Sequence, residues 1–429
     1  MVTSAYIKLW NQLVGAIVWD DQTGIGRFEF DVKFAASGLD ISPILMPLKP
    51  NGKREFSFPE NIRKSTFKGL PGLLADILPD KFGNTLINTW LTKQGRQSDS
   101  LNPVEILCFI GKRAMGALEI EPDIPKDSGK SSALHIDSLI KVADDILNKR
   151  SQLQTTFSGE EEKALHDILK IGTSAGGARA KAIIAYNPKT KEVRSGQGNA
   201  PKGFSHWIIK FDGVSDNQLG TSQGYGRVEM AYYQMAVDAG IEMTECQLLE
   251  ENDRAHFMTR RFDRGNENEK IHMQSFCALR HFDFNDVGLF SYEQLFETMR
   301  MMFLPYPEAE QLYRRMVFNV LARNCDDHTK NFSFLMDQTG KWKLSPAYDI
   351  CHAYRPGSSW VSQQSLTVNG KRDNITDDDF LSLAKQMNIK KPAKLIGEIR
   401  TAIRNWRNYA DNQKVNPKLR DGIYKTLLV

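Results

Sequence analysis

"ARNCDDHTKNFSFLMDQTGKWKLSPAYDI", residues 322–350, sets two adjacent acids, Asp326 and Asp327, ahead of His328 and Asn331, then an apolar hairpin pattern, then Asp349. Asp326 and Asn331 have the spacing at which an acid accepts a hydroxyl proton while an amide oxygen binds a magnesium ion. "FSFLM" turning at "DQTG" into "KWKLS" reads as two short strands, and Asp349 follows where a second magnesium ligand is wanted. Oxygen ligands suit magnesium, whereas zinc calls for a denser set of His and Cys. Taken alone, the segment has a plain alternative: two acids capping a turn and an asparagine opening a strand. Its neighbours decide between them.

The chain has 429 residues and 41% apolar content, enough for a packed core and two or three domains. Its 56 basic and 52 acidic residues are interspersed and leave a net charge of +4, so no overall field calls for nucleic acid or an anionic membrane. "MVTSAYIKLWNQLVGAIVWDD" at the N-terminus lacks a basic start before a long apolar run, and no run of about twenty apolar residues occurs. A cytoplasmic protein with no membrane segment is expected. Cys108, Cys246, Cys277, Cys325 and Cys351 form no CxxC pair and read as reduced, mostly buried thiols. Strands are expected at "AYIKLW", "GAIVW" and "RFEFDV" (27–32) in a small antiparallel sheet, and 69–91 reads as two helical pieces parted at Pro79. The polar "DIPKDSGKSS" (123–132) is the expected linker. The resulting division is 1–125, 126–259 and 260–429.

"GTSAGGARAKAIIAY" (172–186) places a small-residue loop, Ser174, Ala175, Gly176, Gly177, Ala178 and Arg179, before Lys181 and an apolar strand. Glycine lets backbone N–H groups approach an anion closely. The loop fits neither the Walker nor the Rossmann pattern, and by itself an ordinary hairpin turn looks the same. Next come "HWIIKF" (206–211), a strand carrying Lys210, and "YGRVEMAYYQMAVDAG" (225–240), a helix closed by Gly240 with Glu229 in its first turns. In protein kinases a strand lysine grips the α- and β-phosphates and a helix glutamate steadies it, although each residue alone passes for a solvated charge. "HFMTRRFDRG" (256–265) runs from strand into the loop whose backbone would meet adenine, with Phe262 and Asp263 as candidates. Occurring in this order ahead of 322–350, these features favour the kinase-like reading over the plain one.

At "DDHTKNFS" (326–333) the chain resembles the HipA toxin-like serine/threonine kinases of bacterial toxin–antitoxin operons. The resemblance extends to "LSPAYDI" (344–350), "RRFDR" (260–264), "SAGGARAK" (174–181), "GLPGLLADILPD" and "PVEILCFIGKRAMGALEIEPD" (103–123), and so over nearly the whole chain. It implies an α+β, two-lobed protein-kinase-like fold with an N-terminal β-rich subdomain and a mostly helical C-terminal lobe. It implies Asp326 as catalytic base, Asn331 and Asp349 as Mg2+ ligands, Lys210 on the ATP phosphates, 174–181 as the ATP loop, and Ser174 as a self-phosphorylation site; Thr173, one residue away in the sequence, is the competing hydroxyl. It implies a protein substrate, an aminoacyl-tRNA synthetase among related toxins, and a small dimeric helix-turn-helix antitoxin, HipB-like, through which the complex meets operator DNA.

Some positions depart from that pattern. Arg260 stands where the family often has Glu, and Arg179 and Ala180 where Gln and Glu can occur. No glycine follows Asp349 closely, so activation-loop control of the eukaryotic kind is not expected. In "KLIGEIRTAIRNWRNY" (394–409) the apolar residues have core spacing and Arg400, Arg404 and Arg407 share the other side, close to DNA if the antitoxin complex forms. Two other readings remain: a small-molecule, aminoglycoside-type kinase, and a catalytically weak corepressor or binding module.

Overall fold

The computed structural model describes residues 2–49, 52–59, 64–122, 134–148, 159–173, 179–216, 220–221 and 224–429. The expected linker at 123–132 and loop positions 174–178, Ser174 included, lie outside the described residues. The chain divides into two compact units: Met1–Asp40, Leu48–Gly226 and Gln247–Met273 form the first, and Ile41–Pro47, Arg227–Cys246 and Gln274–Val429 the second.

Within the first unit, strands β1 (Ser4–Leu9), β2 (Gln12–Asp20), β3 (Ile25–Phe30), β4 (Glu55–Phe56) and β5 (Leu118–Glu121) form an antiparallel sheet in the order β4-β3-β2-β1-β5. Period-two alternation sends Ala5, Ile7 and Leu9 inward and Tyr6 outward, so register and burial are set together. The helical stretch after it does break in two, at 72–75 and 81–93, with Pro79 between.

A second antiparallel sheet of the same unit contains β6 (Lys181–Tyr186), β7 (Val193–Ser195), β8 (Ser205–Lys210), β11 (Cys246–Glu251) and β12 (Arg254–Arg260) in the order β11-β12-β8-β6-β7, while β9 (Ser215–Asp216) and β10 (Gly220–Thr221) make a separate ribbon. All six residues of β6 are buried, and the helix Gly159–Gly172 packs against that strand. Burial on both faces of β6 accounts for the unbroken apolar run "AIIAY", which lacks the alternation of β1.

The second unit is mostly helical, around a core that includes Tyr232, Phe276, Tyr313, Phe318, Phe380 and Trp406. The Tyr232 hydroxyl donates to the Ala322 carbonyl at 2.7 Å and its ring meets Trp406 at 5.1 Å, tying helix Tyr225–Asp238 to the end of helix Tyr306–Leu321. The single C-terminal helix expected over 394–409 is two helices, Pro392–Arg404 and Trp406–Asn412, because the backbone leaves helical ψ at Asn405 and buried Trp406 is fixed by donating to the Arg420 carbonyl at 2.9 Å. Four of the cysteines are buried, Cys351 is half-buried, and all five are free thiols. No helix among the described residues is long and apolar enough to cross a membrane.

Candidate functional site

Helix Tyr306–Leu321 ends at Ala322, and Arg323 with φ +55° turns the chain into the loop that carries both acids. That loop is pinned on its flank: Cys325 N–H donates to the Ala353 carbonyl at 3.1 Å and Ala353 N–H to the Arg323 carbonyl at 3.0 Å. These bonds align 323–325 in parallel with the chain that follows Asp349. After the loop, Ser333–Met336 and Trp342–Leu344 pair antiparallel, Phe334 opposite Leu344, as the hairpin pattern predicts. Tyr348 closes the arrangement, its hydroxyl meeting the Lys330 carbonyl at 2.7 Å and the Ser333 hydroxyl at 2.6 Å.

The adjacent acids have opposite environments. Asp327 is 1% exposed and accepts from Tyr292 Oη at 2.7 Å, Gln364 Nε2 at 3.0 Å, Ser365 N at 2.7 Å and Leu366 N at 3.4 Å. Burial pushes its pKa up to about 6 against the downward pull of those donors. Asp326 keeps 40% of its side chain exposed, accepts from Trp360 Nε1 at 2.6 Å and has His328 Nε2 at 3.8 Å. Only Asp326 is open to an incoming group. Nearby, the Cys325 thiol donates to Gln364 Oε1 at 2.9 Å, and burial beside Asp327 drives its pKa up to about 12, which makes it inert.

Asn331 and Asp349 line one recess with Asp327, Asn319, Asn324 and Arg315. Asn331 Nδ2 donates to the Asp326 carbonyl at 2.7 Å, which fixes the amide. Asp349 has φ +51°, a sparsely populated region that aspartate tolerates better than most residues. Arg315 and Asn319 reach the recess from one helix face, one turn apart. Burial lowers the Arg315 pKa to about 10, still charged at neutral pH, and its Nη2 donates to the Ser345 carbonyl at 2.6 Å. Sequence reading missed Trp360, Tyr292, Gln364 and Arg315, for which no motif or short-range spacing gives a signal. Among the described residues no cluster of three or more His, Cys, Asp or Glu is placed to hold a metal ion.

The remaining candidates are distributed between the units. In the first, β6 and β8 place Lys181 directly opposite Lys210, the Lys210 ammonium lies 5.6 Å from the Phe257 ring centroid, and the Arg179 guanidinium lies 5.0 Å from that of Tyr225. Phe262 is half-buried in the loop after β12. Asp263, expected at the adenine, does not offer its side chain there. Both its oxygens are engaged by Arg261 at 2.8 and 2.7 Å, by Arg264 at 2.9 Å and by Gly116 N–H at 2.6 Å, and its carbonyl accepts from Arg264 at 2.9 Å and from Ile271 N–H at 3.0 Å. Glu229 belongs to the second unit, on helix Tyr225–Asp238, and is buried where a solvated charge was the plain alternative. The expected arginine row is partly neutralised: Arg400 pairs with Asp377 at 2.7 Å, and Arg407 pairs with Asp421 at 3.2 Å and lies over the Tyr424 ring.

Over 99% of its length the chain superposes on a chain of the Shewanella oneidensis MR-1 toxin–antitoxin system HipA, HipB and its operator DNA complex, covering 96% of that chain at TM-score 0.68 and 17% identity, a likeness of fold. It is 25% identical over 197 residues to Y4mE of Sinorhizobium fredii, a protein provisionally named as a kinase, covering 43% of this chain and 44% of that one. A 110-residue stretch is 33% identical to a class II fumarate hydratase of Oceanobacillus iheyensis, covering 23% of each. The chain thus spans less than half the length of either curated relative. The family model for the HipA N-terminal domain matches residues 5–121 and that for the HipA-like C-terminal domain matches 173–406. Since the second model alone takes in more than half of the residues, including the paired acids, Asn331 and Asp349, this chain belongs to the HipA family.

Proposed function

We propose that the chain is a serine/threonine protein kinase that transfers the γ-phosphoryl group of ATP to a protein hydroxyl. The observation that carries this reading is the split between neighbours: Asp327 is buried under four donors while Asp326 stands 40% exposed, its backbone carbonyl accepting from the Asn331 amide. The acceptor hydroxyl oxygen bonds to the γ-phosphorus, the bond from that phosphorus to the bridging oxygen breaks, and ADP departs with the electron pair. Asp326 takes the hydroxyl proton on the carboxylate oxygen that Trp360 does not hold. The oxygen donors of Asn331 and Asp349 fit Mg2+, which when bound would offset the charge on the phosphates. Within the first unit, Lys181 and Lys210, opposite each other on β6 and β8, offer positive charge suited to phosphate.

Isothermal titration with ATP, with and without magnesium, tests the ligand roles. Asn331→Ala and Asp349→Asn should each weaken magnesium-dependent ATP binding by at least about tenfold. Unchanged binding in both would remove these two residues from the site. Radiolabelled ATP separates protein phosphorylation from phosphorylation of an aminoglycoside or from no transfer at all, the corepressor case.

The partner reading rests on family membership and on the HipA, HipB and operator DNA assembly of the Shewanella relative. A dimeric helix-turn-helix antitoxin should co-purify from the native host, and the pair should bind DNA with an affinity that falls steeply with salt. With Arg400 and Arg407 already paired to acids, the chain alone should bind operator DNA poorly. Strong DNA binding by the isolated chain would overturn this arrangement.

A further inference from the structure

One segment of chain holds both adjacent acids. Gln364, Ser365 and Leu366 are fastened to the buried Asp327 carboxylate, and behind it Asn319 Nδ2 donates to the Tyr292 hydroxyl at 3.0 Å. Four residues before that anchor, Trp360 reaches Asp326 with its indole N–H, 2.6 Å from Oδ1. Ser358 Oγ accepts from the backbone N–H groups of Trp360 and Val361, both at 3.2 Å, which fixes the turn presenting the indole. The rings of Phe284 and His328 flank Trp360 edge-on at 6.2 and 6.1 Å.

We propose that Trp360 is a positioning residue for phosphoryl transfer: its indole N–H holds one oxygen of the Asp326 carboxylate so that the other faces the acceptor hydroxyl, and Asp327 anchors the strap that carries it. The physical need is clear from the exposure of Asp326. The terminal torsion of an aspartate is soft and broadly populated, so a half-exposed carboxylate without a donor samples orientations in which neither oxygen is aimed. Small errors of placement at a reacting group cost up to about 10²-fold in rate. The tandem acids thereby divide the work, the second fixing the strap that aims the first. This inference rests on the phosphotransfer reading above.

Trp360→Phe keeps an aromatic ring at this half-buried position and removes the N–H together with the second ring of the indole, which is why melting temperature is read beside the rate. It should lower kcat for radiolabel transfer from ATP, to the chain itself or to a general protein acceptor, by about 10- to 100-fold, with KM for ATP and the melting temperature unchanged. A packing role would move melting temperature and kcat together, and kcat within twofold of the parent would remove the role; either result overturns the proposal. The contact is read independently of turnover in the indole region of a nitrogen–proton correlation spectrum. The resonance lost in Trp360→Phe should be displaced in Asp326→Asn, and an undisplaced resonance also overturns the proposal. Failure of the kinase reading looks different: no labelled phosphate transferred by the parent chain, or undiminished transfer by Asp326→Asn.

Discussion

Asp326→Asn is expected to lower phosphoryl transfer by about 10²–10⁴-fold while ATP still binds, because the amide keeps the carboxylate's shape but cannot take the acceptor's proton. The Trp360 indole can still donate to the amide oxygen, so the loop should keep its conformation. Asp327→Asn should behave differently. One end of the new side chain carries N–H groups that face donors, where the carboxylate accepted from Tyr292, Gln364, Ser365 and Leu366. Leaving buried donors unsatisfied costs about 1–3 kcal/mol, so this variant should lose melting temperature as well as activity. Initial rates with radiolabelled ATP alongside thermal denaturation separate the two. Most of the activity retained in Asp326→Asn would remove this acid as the base.

The largest stability effect is expected at Asp263. Its carboxylate is fully buried between Arg261 and Arg264, whose side chains are only 2% and 7% exposed, and it also takes the Gly116 N–H. Despite the burial, the two guanidinium groups hold its pKa well below the ordinary carboxylate range. Asp263→Ala leaves both cations without their carboxylate in the interior, and breaking a buried pair in this way costs about 3–5 kcal/mol. For a body of this size that corresponds to a drop of roughly 6–20 °C in the melting transition of the first unit. A drop below about 3 °C would mean the node is solvated or replaceable. Because folding lowers the Asp263 pKa, its contribution is complete above the ordinary aspartate value near pH 4 and is lost as pH falls below it. The parent should therefore lose stability on acidification through this range more steeply than Asp263→Asn, measured by melting temperature against pH.

Much of this molecule is legible along the sequence because the signals are local. Alternation in "AYIKL" and "RFEF", the stop at Pro79, Gly240 with φ +76° past its helix, and the hairpin after Asn331 all depend on periodicity or on one residue's backbone preferences. The spacing of Asn331 and Asp349 belongs to the same class, since a hairpin of fixed length brings them to one recess.

What only the tertiary structure decided was the chemical character of side chains that look alike in the sequence. In "DD" nothing local distinguishes the acid that meets solvent from the one buried under Tyr292 and Ser365; that choice is made by residues 35 and 38 positions away. Asp263 looked like a ligand because its motif lies in a loop, and it became a structural charge because Gly116, 147 positions earlier, and two arginines enclose it. Trp360 sits in no motif and matters through a hydrogen bond spanning 34 positions. Burial, charge pairing and access depend on which distant groups exclude water from a site, and those groups are brought there by the packing of the core, which a local pattern of residues does not encode.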